Sequence, residues 1–219
     1  MRGFPTLLIV AALVMSGCGP SGPSSAAPPT APTQPAVASG TGSVVSGVVI
    51  DSNTKLPLAG ARVYLVSGRG GWTTTDARGL FQYTGVPDGF IVLQAPQTSY
   101  DQRCAVTAQL HGDAVLDVEL VPVGSPTSTA NADPPTLSGV VFETTPEGRR
   151  PVAGALVGLG GDNDYWLAGA TTDADGRYLL CRLPIGVSTH VWASKTGYAA
   201  TDVNVQIDGS GQRDLEIRR

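Results

Sequence analysis

The chain repeats itself, and this internal repeat restricts its fold more than any other sequence feature. Four blocks recur in the same order, and the distance between equivalent residues grows from 92 (46 to 138) to 97 (74 to 171). The first copy has Ser46-Gly-Val-Val49, Pro57-Leu-Ala-Gly-Ala61, Thr74-Thr-Asp-Ala-Arg-Gly-Leu-Phe81 and Val86-Pro-Asp-Gly89. The second copy has Ser138-Gly-Val-Val141, Pro151-Val-Ala-Gly-Ala155, Thr171-Thr-Asp-Ala-Asp-Gly-Arg-Tyr178 and Leu183-Pro-Ile-Gly186. Insertions therefore fall between the blocks, where loops belong, and both copies are predicted to share one fold.

Within each copy, apolar and polar residues alternate with a period of two, which predicts strands with one buried face. The 28 glycines and 17 prolines supply frequent turns between them. The predicted strands of the first copy are 44–50, 61–66, 72–75, 80–83, 90–94, 104–110 and 115–120. Seven short strands joined by turns are typical of a small sandwich. The predicted fold class is therefore all-β, with two tandem seven-stranded antiparallel β-sandwiches.

The repeat also predicts the domain boundaries. The first sandwich is expected over residues 43–122 and the second over 136–219. Residues 123–135 contain three prolines among small polar residues and are predicted to be a linker. Because each copy carries a full set of strands, we expect each to have its own core and residues 136–219 to fold when expressed alone. Such a linker would let the units move independently.

The repeated blocks resemble the carboxypeptidase regulatory-like domain in both copies, and the second copy, with Gly197-Tyr198 near its end, resembles it more closely. This resemblance implies a transthyretin-like sandwich of seven strands. The family takes its name from an accessory domain of metallocarboxypeptidases and recurs as a module of bacterial surface proteins. Since the shared residues belong to turns and the core, the resemblance indicates the fold strongly and the function hardly at all.

The N-terminus is predicted to be a lipoprotein signal peptide at residues 1–17. Arg2 precedes a short apolar run, and the segment ends in Val14-Met15-Ser16-Gly17-Cys18. This ending resembles a bacterial lipobox, which implies acylation of Cys18 with fatty acid such as palmitate and anchoring to a membrane. The alternative is an ordinary signal peptide with an incidental cysteine. An apolar run this short is not predicted to span a bilayer.

Residues 18–42 are predicted to connect the lipidated cysteine to the sandwiches as a flexible tether, because they are almost entirely Gly, Pro, Ala, Ser and Thr. Gly19 follows Cys18 where an aspartate would signal retention in the enterobacterial inner membrane. The expected location is therefore the bacterial cell envelope, at the outer membrane where one exists.

The sequence predicts no enzyme and no cofactor. Its two histidines, His111 and His190, lie one in each copy and outside any zinc-peptidase motif. No nucleophile elbow and no phosphate-binding glycine loop before a helix occur. The formal net charge of −4 also argues against a nucleic-acid partner, because such a partner requires a basic face.

Two further patterns leave alternatives open. Cys104 and Cys181 are either bridged across the two copies, which an oxidising compartment permits, or remain unpaired thiols. The carboxylates of the second copy are either ordinary turn residues or, as a minor hypothesis, ligands of calcium, which prefers oxygen. These carboxylates are Asp162, Asp164, Asp173 and Asp175.

Candidate ligand-binding residues are the aromatic side chains Tyr165, Trp166 and Trp192. If Val191 points inward, Trp192 faces outward, and exposed aromatic rings are common anchors for sugars and peptides. In the opposite register Trp192 belongs to the core. Two functions are therefore open: a structural or interaction module with an envelope protein partner, or a carbohydrate-binding module that uses these rings to hold a glycan.

Overall fold

The computed structural model describes residues 42–66, 70–128, 132–160 and 166–219, and their regular structure is entirely β. No helix in these ranges has the length and apolarity needed to cross a membrane. The first copy contains β1 (Ser43–Asp51), β2 (Arg62–Val66), β3 (Gly71–Thr74), β4 (Leu80–Val86), β5 (Gly89–Gln94), β6 (Tyr100–Asp101), β7 (Val106–Leu110), β8 (Ala114–Val115) and β9 (Val118–Pro122). The second contains β10 (Leu137–Thr145), β11 (Gly148–Pro151), β12 (Leu156–Gly160), β13 (Trp166–Thr171), β14 (Arg177–Leu180), β15 (Val187–Ser194), β16 (Thr201–Ile207), β17 (Gly211–Gln212) and β18 (Leu215–Glu216).

Each copy has two sheets. In the first, the order β4-β1-β9-β6, with β8 also on β1, is accompanied by the order β3-β2-β5-β7. In the second, the order β11-β10-β14, with β17 and β18 also on β10, is accompanied by β13-β12-β15-β16. The all-β fold class is confirmed. The predicted strand 115–120 is interrupted and gives β8 and β9, and the two-residue strand β6 is an addition.

Each copy also contains a parallel pairing that alternation could not predict. β8 and β9 run parallel to β1, and β17 and β18 run parallel to β10. In the second copy, Arg213 lies between β17 and β18, where pairing with β10 is interrupted. A Cβ on Gly139 would overlap the carbonyl oxygen of Arg213, so a larger residue cannot fit at position 139. The amide of Val140 donates instead to the Asp214 carboxylate at 3.0 Å, and the Tyr178 hydroxyl donates to the Arg213 carbonyl at 2.6 Å. The first copy repeats this arrangement. A Cβ on Gly47 would overlap the carbonyl oxygen of Leu116, and the amide of Val48 donates to the Asp117 carboxylate.

Hydrogen bonds from side chains to the backbone explain why both copies contain a Thr-Asp block. The Thr172 hydroxyl accepts from the amide of Ala155 and donates to the carbonyl of Val152, both at 2.8 Å. The next residue, Asp173, closes a hairpin by accepting from backbone amides two and four residues later. Gly176 ends that turn with φ of 70°, a conformation that favours glycine. The first copy repeats this arrangement with Thr75, Asp76 and Gly79.

Each copy has a buried apolar cluster between its sheets. The first contains residues such as Val45, Phe81 and Leu93. The second contains residues such as Tyr178 and Leu180, and it also includes Val92 and Ala105 of the first copy. The two sandwiches accordingly belong to one compact body.

Candidate binding groove between the two sandwiches

Asp101 and Gln102 of the first sandwich lie against β13 of the second. Both carboxylate oxygens of Asp101 accept hydrogen bonds from Thr171, one from its amide and one from its hydroxyl, each at 2.9 Å. The amide of Gly169 donates to the carbonyl of Gln102 at 2.8 Å. All of these groups are buried or half-buried, where an unpaired polar group would be destabilising. This segment therefore satisfies much of the free edge of β13 and joins the two units.

The Cys104–Cys181 disulfide closes the same junction. The two cysteines are bonded in the structure, 77 positions apart in the sequence. Backbone hydrogen bonds flank the bond: Cys181 donates to the Arg103 carbonyl, and Ala105 donates to the Cys181 carbonyl, both at 2.9 Å. Of the two alternatives for these cysteines, the structure has the bridged one.

Arg103 attaches the start of the 123–135 segment to this junction. Its side chain is buried, and its guanidinium donates to the carbonyls of Ser125 at 3.0 Å and Pro126 at 3.2 Å. Burial lowers the pKa of Arg103, and the Asp101 carboxylate, at 3.7 Å, opposes this change. The described beginning of the predicted linker therefore packs onto the first sandwich.

A groove of about 460 Å³ lies beside the junction and is lined by both sandwiches. Its volume is within the range of small-molecule sites. The first unit contributes residues that include Pro96, Gln97 and Thr98, and the second contributes Gly158, Trp166 and Trp192. The groove is therefore a composite feature that neither copy would form alone.

The structure brings two of the three predicted aromatic residues together in this groove. Val191 and Ala193 are fully buried, so Trp192 and His190 lie on the outer side of β15, which is one of the two registers that the sequence left open. Trp166 is half-buried, and its carbonyl accepts from the Gln94 side chain at 2.7 Å. Tyr165 lies outside the described residues.

The remaining candidates have local roles. Asp173 directs one carboxylate oxygen to two backbone amides, and Asp175 pairs with Arg177 at 3.2 Å. Asp162 and Asp164 lie outside the described residues, and the described part of the chain contains no cluster of three metal-ligating side chains. His190 lies 3.0 Å from Asp202, and His111 is an exposed turn residue.

Sequence reasoning missed the wall that the first sandwich contributes. The groove residues 95–98 are more than 60 positions from Trp166, and no pattern in the sequence signals their approach. Tyr100 lines the groove as well, and its hydroxyl donates to the Asp51 carboxylate at 3.0 Å. This hydrogen bond raises the pKa of Tyr100.

An aromatic side chain on the first sandwich was also missed. Trp72 is 51% exposed, with the Arg62 guanidinium 4.2 Å from its ring centre and the Tyr64 ring 4.8 Å away. Trp72 is not among the groove residues. It therefore offers an exposed indole for comparison with those in the groove.

Residues 44–121 match the carboxypeptidase regulatory-like domain family. The match falls on the first copy, whereas the motifs had suggested a closer resemblance for the second. No curated protein sequence matches the chain.

Several solved structures are similar to the chain at low sequence identity. The minor pilin GBS52 of Streptococcus agalactiae is 12% identical, with 80% of this chain and 95% of that chain covered and a TM-score of 0.32. The shaft pilin SpaA of Lactobacillus rhamnosus GG, as an E269A/D295N double mutant, is 12% identical, with coverages of 80% and 96% and a TM-score of 0.30. The dioxygenase domain of a dioxygenase carbohydrate-binding protein fusion from Streptomyces sp. SirexAA-E is 19% identical, with coverages of 42% and 83% and a TM-score of 0.30.

Proposed function

We propose that this chain is a non-enzymatic lipoprotein of the bacterial cell envelope whose two joined sandwiches act as an interaction module. The observation that carries the interaction role is the composite groove, which presents apolar and aromatic surface from both units. Surfaces of this kind favour binding of a partner. The lipid anchor rests on the signal-like residues 1–17 and on Cys18.

Metabolic labelling with a palmitate analogue tests the anchor. The full chain expressed in a bacterial host should carry the label and fractionate with membranes, whereas Cys18→Ala should lose both properties. Met15→Leu, which brings the lipobox closer to its usual form, is the matched control and should retain the label. An unlabelled wild-type protein that is nevertheless exported would support the ordinary signal peptide instead.

The outer-membrane location requires a separate comparison. In an enterobacterial host, the wild-type protein with Gly19 should sediment with the outer membrane, and Gly19→Asp should move it to the inner membrane. Equal distribution of both proteins would contradict the proposed sorting.

Carbohydrate binding is the second candidate function. It is favoured by the position of Trp166 and Trp192 in one groove, since aromatic rings present a flat apolar face with a polar edge. Affinity electrophoresis in gels that contain polysaccharide provides the test. The wild-type protein should be retarded and Trp166→Ala should migrate as in a gel without polysaccharide; equal retardation of both would place the binding elsewhere.

A further inference from the structure

Two glycines form the floor of the groove. Gly158 on β12 pairs with Gly169 on β13, and on its other side Gly158 pairs with Trp192 on β15. A Cβ on Gly158 would overlap the Trp192 indole. The indole therefore rests on the backbone of Gly158. Any larger residue at position 158 would displace the indole.

The two tryptophans lie on either side of this floor. The six-membered ring of Trp166 lies 3.8–3.9 Å from the position that a Cβ on Gly169 would occupy. The Trp192 indole occupies the space that a side chain on Gly158 would take, and the Trp166 ring lies beside Gly169. The result is a shallow surface on which the Trp192 indole lies over Gly158 and the Trp166 indole lies beside Gly169.

The backbone of this surface is already hydrogen-bonded. β12 is an inner strand that pairs with β13 on one side and β15 on the other. Along the far edge of β13, Gly169 and Thr171 donate to the first sandwich. An extended peptide gains affinity by pairing with free backbone groups, and these strands offer it few. A ligand that stacks on rings and bonds to side chains fits better.

The described residues that line the groove offer no available charged side chain. Among its described lining residues, the one acidic or basic side chain is Asp101. Both of its carboxylate oxygens accept from Thr171, and Arg103 is 3.7 Å away. The amide oxygen of Gln97 and the hydroxyl of Thr98 supply neutral polar groups, while the amide nitrogen of Gln97 donates to the Arg62 carbonyl at 3.3 Å. The described lining of the groove therefore matches an uncharged ligand.

We infer that the groove binds a neutral glycan, with one sugar ring stacked on Trp192 above Gly158 and the loop at residues 95–98 forming the opposite wall. This inference rests on the proposed interaction function and names its ligand class. It assigns the site to both sandwiches, with Trp192 as the main contact and Gly158 as the residue that positions it.

Calorimetric titration of the full chain with soluble hexasaccharides tests this inference. The neutral set contains gluco-, xylo-, manno- and N-acetylglucosamine oligomers, and oligogalacturonate is the charged counterpart. At least one neutral oligomer should bind, and it should bind more tightly than the charged one. Trp192→Ala should weaken binding at least about tenfold, the scale of a truncated central aromatic contact.

Matched variants separate stacking from a general loss of structure. Trp72→Ala removes an exposed indole outside the groove and should leave affinity unchanged. Trp192→Phe keeps a stacking ring and should retain part of the affinity. Gly158→Ala should weaken binding although Trp192 is still present, and circular dichroism must show that this variant remains folded. If it does not fold, the Trp192 and Trp72 variants decide the result.

The outcomes distinguish the inference from the proposed function. Failure of every neutral oligomer to bind at millimolar concentration overturns the inference, as does binding that Trp192→Ala leaves intact. Tighter binding of a proline-rich peptide that is lost in Trp192→Ala would overturn the glycan class and leave the interaction module standing. Loss of palmitate labelling bears on the anchor alone.

Discussion

Reduction of the Cys104–Cys181 disulfide is expected to lower the free energy of unfolding by about 2–4 kcal/mol. The bond joins residues 77 positions apart, so it removes many conformations from the unfolded chain. The chain-entropy relation for a loop of this length gives about 4.5 kcal/mol at 25 °C. Native disulfides commonly contribute somewhat less, because the unfolded chain retains some structure.

Guanidinium unfolding of the oxidised and dithiol-reduced protein measures this difference, with circular dichroism and tryptophan emission as the two signals. A protein that begins at residue 19 lacks Cys18, so the bridge contains its only two cysteines. The double variant Cys104→Ala/Cys181→Ala is the control. It should unfold near the midpoint of the reduced wild-type protein, and added reductant should not change it.

A change of less than about 0.5 kcal/mol on reduction would refute the reasoning, since a surface substitution produces a change of that size. Alkylation before reduction, followed by mass spectrometry, gives a second check. The oxidised protein should take up no alkyl group, and two free thiols would show that the bond does not form in solution.

Three further predictions use residues of the second sandwich. Gly139→Ala should lower the free energy of unfolding by about 1–3 kcal/mol, because its Cβ overlaps a neighbouring carbonyl; thermal melts should show no comparable loss for Gly209→Ala, where the space is open. Thr172→Val keeps the side-chain shape but leaves the amide of Ala155 and the carbonyl of Val152 without their partner. Urea unfolding should therefore show a loss of about 1–3 kcal/mol in the free energy of unfolding. Thr172→Ser keeps the hydroxyl and should lose less. The hydrogen bond from Arg150 lowers the pKa of Glu143 below its ordinary 4.5. This pair therefore stabilises the fold above pH 4.5, and its contribution is lost as the pH falls through the lowered pKa. The difference in unfolding free energy between wild type and Glu143→Gln should shrink from pH 7 to pH 3, and a constant difference would contradict this.

The strands and turns were predictable because their causes are local. A strand with one buried face alternates along its own length, as β1 does in its burial. The conserved spacing within the two copies also reflects short-range bonding, such as the Asp173 turn. The role of Gly139 was less accessible, since the Arg213 carbonyl that excludes a larger residue lies 74 positions away, between β17 and β18.

The groove illustrates where the alternation of residues stops being informative. Alternation left two registers open for Trp192, and the burial of Val191 and Ala193 shows that it lies on the outer side of its strand. It could not indicate what covers that side, because the covering residues belong to the other sandwich. Whether Cys18 is acylated and which ligand the groove takes stay predictions.

Local chemistry in the chain was enough to indicate an all-β fold in two repeated parts, since period-two burial and turn-forming residues act over a few positions. The relation between the two parts was decided by tertiary structure. The Cys104–Cys181 pairing, the contacts of Asp101 with Thr171 and the meeting of Trp166 with residues 95–98 all join groups more than 60 positions apart. Such contacts depend on how the two folded sandwiches pack against each other. Their packing follows from the shape and polarity of whole surfaces, and the alternation of residues along one strand does not encode these properties.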